Sequence, residues 1–425
     1  VRGFAPFVSF AKFRVAWGQV GVRPSAHAFE TLAESGFGYS AYSDPISVGQ
    51  WGGGYRVDNN KGNDKLKPEV KTEFELGADM RFFDDKFAFG FTYYDNEIND
   101  MLISRTLSPT SGFSSQYANA ASMTNTGIEL DGSWNIISDP SSSLELNFNW
   151  ATNENLVQDL AGTKVLNLAV GNVTSVALAP TTDKDGNTVK YPIGTLWGTG
   201  SQTENGKWDG KLILDANGFP QLTTSLIPLG NPNPDWRGTI GLNARWNNFS
   251  FNMLFEHSQG GRYAPRTQWV LRRFGTTTDT DNEVTLTKDL KNIKGTTIPA
   301  GTTVRGFVHD FGGGDVLLDE VWFRQSIGGG FGNNQAYNFA TKDATFSRIR
   351  ELTVSYLYND EMLRTTTGLS DITFTFTARN LFAWYKELVG VDPGVHVGGI
   401  QTGSGLDYFA NPSTKSFLFS VSTNF

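Results

Sequence analysis

Residues Glu73 to Phe82 alternate without a break. Phe74, Leu76, Ala78, Met80 and Phe82 are apolar, while Glu73, Glu75, Gly77, Asp79 and Arg81 are polar or glycine. A period of two over this length predicts a strand with one dry face and one wet face. Asp84 and Asp85 predict a tight turn. Phe87, Phe89, Phe91 and Tyr93 then carry the dry face back, in a hairpin expected to run from Thr72 to Ile103. Strands of soluble proteins average about five or six residues, whereas a tilted strand crossing a bilayer needs about nine to eleven.

The pattern recurs along the chain. Phe13, Val15 and Trp17 form one dry face, and Ile128, Leu130, Trp134 and Ile136 another. Leu144 to Trp150, Ile240 to Trp246, Phe249 to Phe255, Leu352 to Tyr358, Ile372 to Arg379 and Phe417 to Phe425 repeat it. The count is about ten strands. The long connections fall near residues 20–65, 153–235, 259–344 and 382–415, with a medium one at 104–121. Short turns separate them, so every long loop lies at the same end. That asymmetry predicts an outer-membrane β-barrel with short periplasmic turns and long extracellular loops. A soluble β-sandwich is the alternative, but it has no physical reason to sort its loops by length.

The wet faces would line the lumen with Glu73, Glu75, Asp79, Arg81, Glu129, Asp131, Glu145, Arg245 and Arg379. A closed barrel of about ten strands is largely filled by its own side chains and would have to pair these charges. A larger barrel solvates them, so these strands are expected to be part of a bigger wall.

Composition narrows the function classes. The 425 residues include no Cys and four His, at positions 27, 257, 309 and 396, which excludes a disulfide framework and gives no ligand-like spacing. Net charge is −8 and the pI about 5.2, against the basic footprint of a nucleic-acid binder. Aromatics at 13% with a mean hydropathy of −0.30 suit two-faced strands joined by polar loops. No run is long and apolar enough for a transmembrane helix. Val1 is not a natural start, so the chain reads as processed or truncated.

Several stretches carry a resemblance. Lys12-Phe13-Arg14-Val15-Ala16-Trp17-Gly18-Gln19, Leu66-Lys67-Pro68-Glu69 with Tyr93-Tyr94, and Asn125-Thr126-Gly127-Ile128-Glu129 come first. Gly230-Asn231-Pro232-Asn233-Pro234, Phe346 to Tyr356, Arg379-Asn380-Leu381-Phe382 and Gly390-Val391-Asp392-Pro393 follow in order. Together they resemble the SusC/RagA-type TonB-dependent outer-membrane transporters of the Bacteroidetes. The resemblance implies an all-β fold: an antiparallel transmembrane wall contributing the C-terminal strands of a barrel of about twenty-two. On this resemblance the N-terminal plug and TonB-binding segment are expected to be absent from this chain. It also implies a SusD-like surface lipoprotein, the TonB complex acting through the missing N-terminal part, outer-membrane lipid, and a glycan or peptide ligand as partners. No cofactor, metal or nucleic acid is expected.

Candidate residues follow from the loops and the C-terminus. Trp197, Trp208, Tyr263, Trp269 and Trp322 sit in the two longest loops, where they could stack on ligand or pack the loops. Phe417, Phe419, Val421 and Phe425 read as a barrel-assembly signal. Tyr93, Trp134, Trp150, Trp246 and Tyr356 read as interfacial girdle residues. Asp183 to Asn187 opens like a calcium loop, but its twelfth position is Gly194, where a bidentate Glu is required, so a hairpin turn is expected. Arg348 and Arg350 share parity with the lipid face, so they would meet headgroup phosphates or turn into loop contacts. No triad, Cys/His pair or paired-carboxylate set appears, so no enzyme is expected. The expected function is TonB-dependent import of a large nutrient, an oligosaccharide or oligopeptide. An outer-membrane docking or adhesion platform is the alternative.

Overall fold

The computed structural model describes residues 7–35, 55–169, 173–183, 185–204, 210–325, 341–397 and 404–425. Among the described residues, ten antiparallel strands form one continuous sheet, to which residues 60–61 add a short parallel pairing with Ser115 and Gln116. They are β1 (Val8–Val22), β2 (Glu69–Phe82), β3 (Phe87–Thr106), β4 (Ser115–Ser138), β5 (Ser142–Asp159), β6 (Trp236–Trp246), β7 (Phe249–Gln259), β8 (Phe346–Tyr358), β9 (Asp371–Tyr385) and β10 (Ser416–Asn424). Each pairs with its sequence neighbours. Among the described residues, β1 pairs only with β2, and β10 only with β9.

The register aligns the two faces across the sheet. Ala11, Met80, Phe89, Gly132, Phe148, Ile240, Phe255, Ile349 and Phe382 lie side by side on nine consecutive strands. One residue along, the opposite face reads Lys12, Asp79, Gly90, Asp131, Asn149, Thr239, Glu256, Arg348 and Ala383. Because side chains alternate strictly, this register keeps lipid-compatible residues on one side and polar residues on the other. Phe13, Val15 and Trp17 are exposed on the apolar side, as Phe417 and Phe419 are at the far edge. Trp134 and Trp246, near the short turns, are also exposed.

Charges on the polar face are paired in part. Arg14 lies across the sheet, with Nη1 3.5 Å from Glu75 and Nε 3.3 Å from Asp79. Its Nη2 donates to Thr92 Oγ1 at 3.2 Å. Gly77 makes this possible, since a Cβ there would stand 2.8 Å from the Arg14 guanidinium. Lys71 pairs with Glu73 at 2.6 Å, and Arg379 with Glu351 at 2.9 Å.

The strands are longer than expected. β3 and β4 run 20 and 24 residues, about twice a bilayer crossing. They absorb most of the medium loop expected at 104–121, leaving only residues 107–114 as connection. Asn and Thr on both strands pair across it, as in the Asn125 Nδ2 to Asn96 Oδ1 bond of 3.0 Å, so the hairpin continues with polar residues on both faces. β5 likewise extends to Asp159, into the loop expected from residue 153. At the opposite end the connections are short. The longest of them holds α3 (Glu361–Thr367), capped by Asp360 and closed by Gly368 in the left-handed region.

Candidate functional site

The long loops form their own structure at one end of the wall. The β5–β6 loop contributes a four-stranded sheet, ordered 227–230, 195–198, 174–178 and 165–169. The β7–β8 loop carries α1 (Arg266–Arg273), a three-stranded sheet of 283–285, 303–310 and 315–319, and α2 (Glu320–Gln325). The β9–β10 loop joins them through a parallel bridge, Ala264 to Leu406 and Pro265 to Asp407.

Apolar side chains tie the three loops into one body. Val173, Leu196 and Leu229 of the first loop pack with Ala264 and Trp269 of the second and Leu406 of the third. Phe219 of the first packs with Val316 and Trp322 of the second. Val157 at the top of β5 and Leu160 just beyond it pack with Leu166 and Ala177 and anchor the first loop to the wall.

A cavity of about 190 Å³ lies where the loops meet the wall. Pro232, Arg237, Glu256, Tyr263, Arg348 and His396 are among its lining residues. Arg348 is 2% exposed, and its Nη2 lies 3.0 Å from Asp392 Oδ1. Its Nε lies 3.5 Å from Glu256, and its guanidinium stacks 4.3 Å from the centre of the Phe346 ring. Asp392 also accepts from the backbone N–H groups of Gly394 at 2.9 Å and Ser413 at 3.2 Å. Burial raises the Asp392 pKa, but the hydrogen bonds from Ser413 and Gly394 and the Arg348 charge outweigh it and hold the carboxyl below its ordinary range. The Tyr263 hydroxyl donates to the carbonyls of Asp392 at 3.1 Å and Val395 at 2.5 Å. Burial, with Asp407 and Asp392 nearby, pushes its pKa well up, so it stays protonated. His396 is pushed down by burial and by the Arg237 charge. Its Nδ1 accepts from the Gly405 N–H at 3.2 Å, as the neutral imidazole requires.

Arg348 corrects the strand-parity reading. Arg350 is a bulge against β7: Leu254 and Phe255 are consecutive but pair with Glu351 and Ile349, while β9 steps from Arg379 to Phe382 across the same point. One extra residue reverses the facing of everything beyond it. Arg348 therefore pairs opposite Glu256 on the polar face and turns into loop contacts, away from headgroup phosphates. Arg350 Nε binds the same Glu256 at 2.5 Å.

The aromatic candidates divide by burial. Tyr263, Trp269 and Trp322 are 1%, 4% and 5% exposed and serve as loop-core residues in this structure. Trp197 is half-buried in the central sheet of its loop, where its carbonyl accepts from Thr174 Oγ1 at 3.2 Å. Trp208 lies outside the described residues, as does Lys184. Asp183 forms the expected turn, accepting from the Asp185 and Asn187 N–H groups at 2.9 and 2.8 Å. No group of three or more potential metal ligands occurs among the described residues. The Arg348–Asp392 pair went unread in the sequence because the bulge that creates it has no proline or glycine to mark it.

Comparison with known proteins agrees with this architecture. A family model described as "TonB dependent receptor-like, beta-barrel" matches residues 4–298. TonB-dependent receptor P3 of Formosa agariphila is 25% identical over 441 aligned residues, covering 97% of this chain and 39% of that protein. TonB-dependent receptor P26 of the same organism is 24% identical over 226 residues, covering 47% of this chain and 21% of that protein. The solved RagAB peptide transporter superposes with a TM-score of 0.64 at 18% identity, covering 98% of this chain and 41% of that one. The RagAB importer in its closed-closed state gives 0.65 at the same identity and coverage. The chain thus spans about two fifths of the length of P3 and of the RagAB transporter chain. With more than half of its residues matched and a ten-stranded wall of the same fold, the chain belongs to the TonB-dependent receptor β-barrel family, whose members are outer-membrane transport receptors.

Proposed function

We propose that this chain forms part of the wall and the extracellular loop assembly of a transporter that imports a large nutrient, an oligosaccharide or oligopeptide. The observation that supports this most directly is the loop assembly. Three loops share one apolar core and pack on a wall whose other face is polar. Such a body offers a broad, preformed surface above a hydrated passage, which suits capture of a large solute better than chemistry on a small one. A SusD-like lipoprotein would cover this surface. Energy would come from the TonB complex, acting on a plug carried elsewhere in the full-length protein.

The test is native purification from the outer membrane without tags, followed by mass spectrometry of every co-purifying chain. A SusD-like lipoprotein at equal stoichiometry, together with loss of uptake when TonB is deleted, is the expected result. Unrelated surface proteins and TonB-independent behaviour would instead establish the docking or adhesion platform.

A further inference from the structure

The β7–β8 loop holds a second cavity, of about 310 Å³, lined by residues of that loop. Arg272 and Arg273 at the end of α1, Arg305 in the 303–310 strand, and Arg324 in α2 all line it, with Phe274 and Phe323 beside them. Arg273 Nη1 donates to the Arg324 carbonyl at 3.2 Å and ties the two helices together. Arg324 pairs with Glu320, and Arg305 lies 3.4 Å from Asp281. Four guanidiniums thus line one cavity, in a chain whose net charge is −8. Phe274 is 68% exposed, although it directly follows the helix whose inner face is buried.

We propose that this cavity binds one carboxylate-bearing sugar ring of an acidic oligosaccharide, a reading that rests on the import function above and names its cargo class. The guanidinium fork matches a carboxylate with two parallel hydrogen bonds. Phe274 supplies a flat apolar face for the rigid ring. The volume lies at the lower end of small-ligand sites, which suits a single sugar unit with the rest of the chain running outside. An acidic peptide would satisfy the arginines, but its carboxylate sits on a flexible stem and leaves the Phe274 face without a rigid partner.

The test is direct binding to the purified full-length protein with its natural partners, by calorimetry. Trigalacturonate and trimannuronate are the probes, with maltotriose and triglutamate as comparisons. At least one acidic trisaccharide binds and maltotriose does not. Arg273→Ala and Arg305→Ala each weaken that binding about tenfold or more, and Phe274→Ala weakens it too. Lys288→Ala removes a charge from the same loop outside the cavity and leaves binding unchanged. An unchanged near-UV signal from the buried Trp322 shows that the loop still folds. No acidic trisaccharide binding, binding indifferent to the arginines, or equal binding of triglutamate each overturns the proposal. Because the readout is binding and not uptake, intact binding without TonB-dependent uptake would reject the import function and leave the site standing.

Discussion

Arg348 and Asp392 form a buried ion pair, 3.0 Å apart and 2% and 1% exposed at their side chains, that fastens the β9–β10 loop to the wall at β8. Neither partner is stable there alone. Removing one member of a buried pair leaves an uncompensated charge and costs about 3–5 kcal/mol. Arg348→Ala and Asp392→Ala are therefore each expected to release residues 386–397 and 404–415 into fast hydrogen exchange while the wall strands stay protected. The double variant Arg348→Met/Asp392→Leu should lose less than either single change, since it removes both charges together.

Acid should loosen the same junction in two steps. The folded state depresses the His396 pKa below its ordinary 6.5 and the Asp392 pKa below its ordinary 3.8. In each case the unfolded loop binds more protons, so stability rises with pH. The His396 contribution is complete above about pH 6.5 and is lost as pH falls through the folded value. The Asp392 contribution disappears only in stronger acid, below about pH 3.8. Hydrogen exchange of the β9–β10 loop, corrected for intrinsic rates, should accelerate between pH 7 and 5. A His396→Gln variant should flatten that first step and leave the second.

Gly405 sits in the left-handed region where the three loops meet. Its φ is +72°, and a Cβ would meet Pro232 Cβ at 2.6 Å and the Arg262 carbonyl at 2.7 Å. Gly405→Ala is expected to cost at least about 1–2 kcal/mol from the left-handed backbone alone, with the two contacts adding to it. Trp269 fluorescence should report the loss, since that ring sits in the same core as Leu406.

Phe425 follows β10 and is 93% exposed, and Phe417, Phe419 and Val421 share one exposed face of that strand. We expect Phe425→Ala to lower the fraction of protein assembled into the outer membrane, read as the heat-modifiable band on a gel. Asn424→Ala, one residue back on the strand, should have a smaller effect.

The wall was legible from its pattern because a bilayer forces an unbroken period of two on every strand that crosses it. Glu73 to Phe82 shows this, and the paired register of β2 with both neighbours follows it. The hairpin was legible to Ile103, but the last residues of β3 and the upper half of β4 were not. Above the lipid both faces meet water or loops, so Asn96, Asn125 and Thr126 carry no alternation. The loop cores were hidden for a related reason. Trp269 packs with Leu406, 137 positions later, on elements of two to eight residues, and such contacts leave no periodic trace. The functional surface was legible as a place, the long loops, while the residues that hold it together emerged only from packing.

The bulge at Arg350 acts on β8 as a frameshift acts on a code. Below it, Leu352, Val354 and Tyr356 are read toward lipid; above it, the same parity is read toward the loops. Deleting residue 350 would let the strand alternate without a break and leave Phe346 and Arg348 on the side they now face. Substitutions elsewhere on the strand edit single letters; drawing the extra residue into the ladder, with no change of length, would turn the whole upper line over. The mouth of this wall is therefore set by where the strand breaks its alternation as much as by composition, and two chains of nearly the same sequence would present different chemistry there if only one kept the bulge.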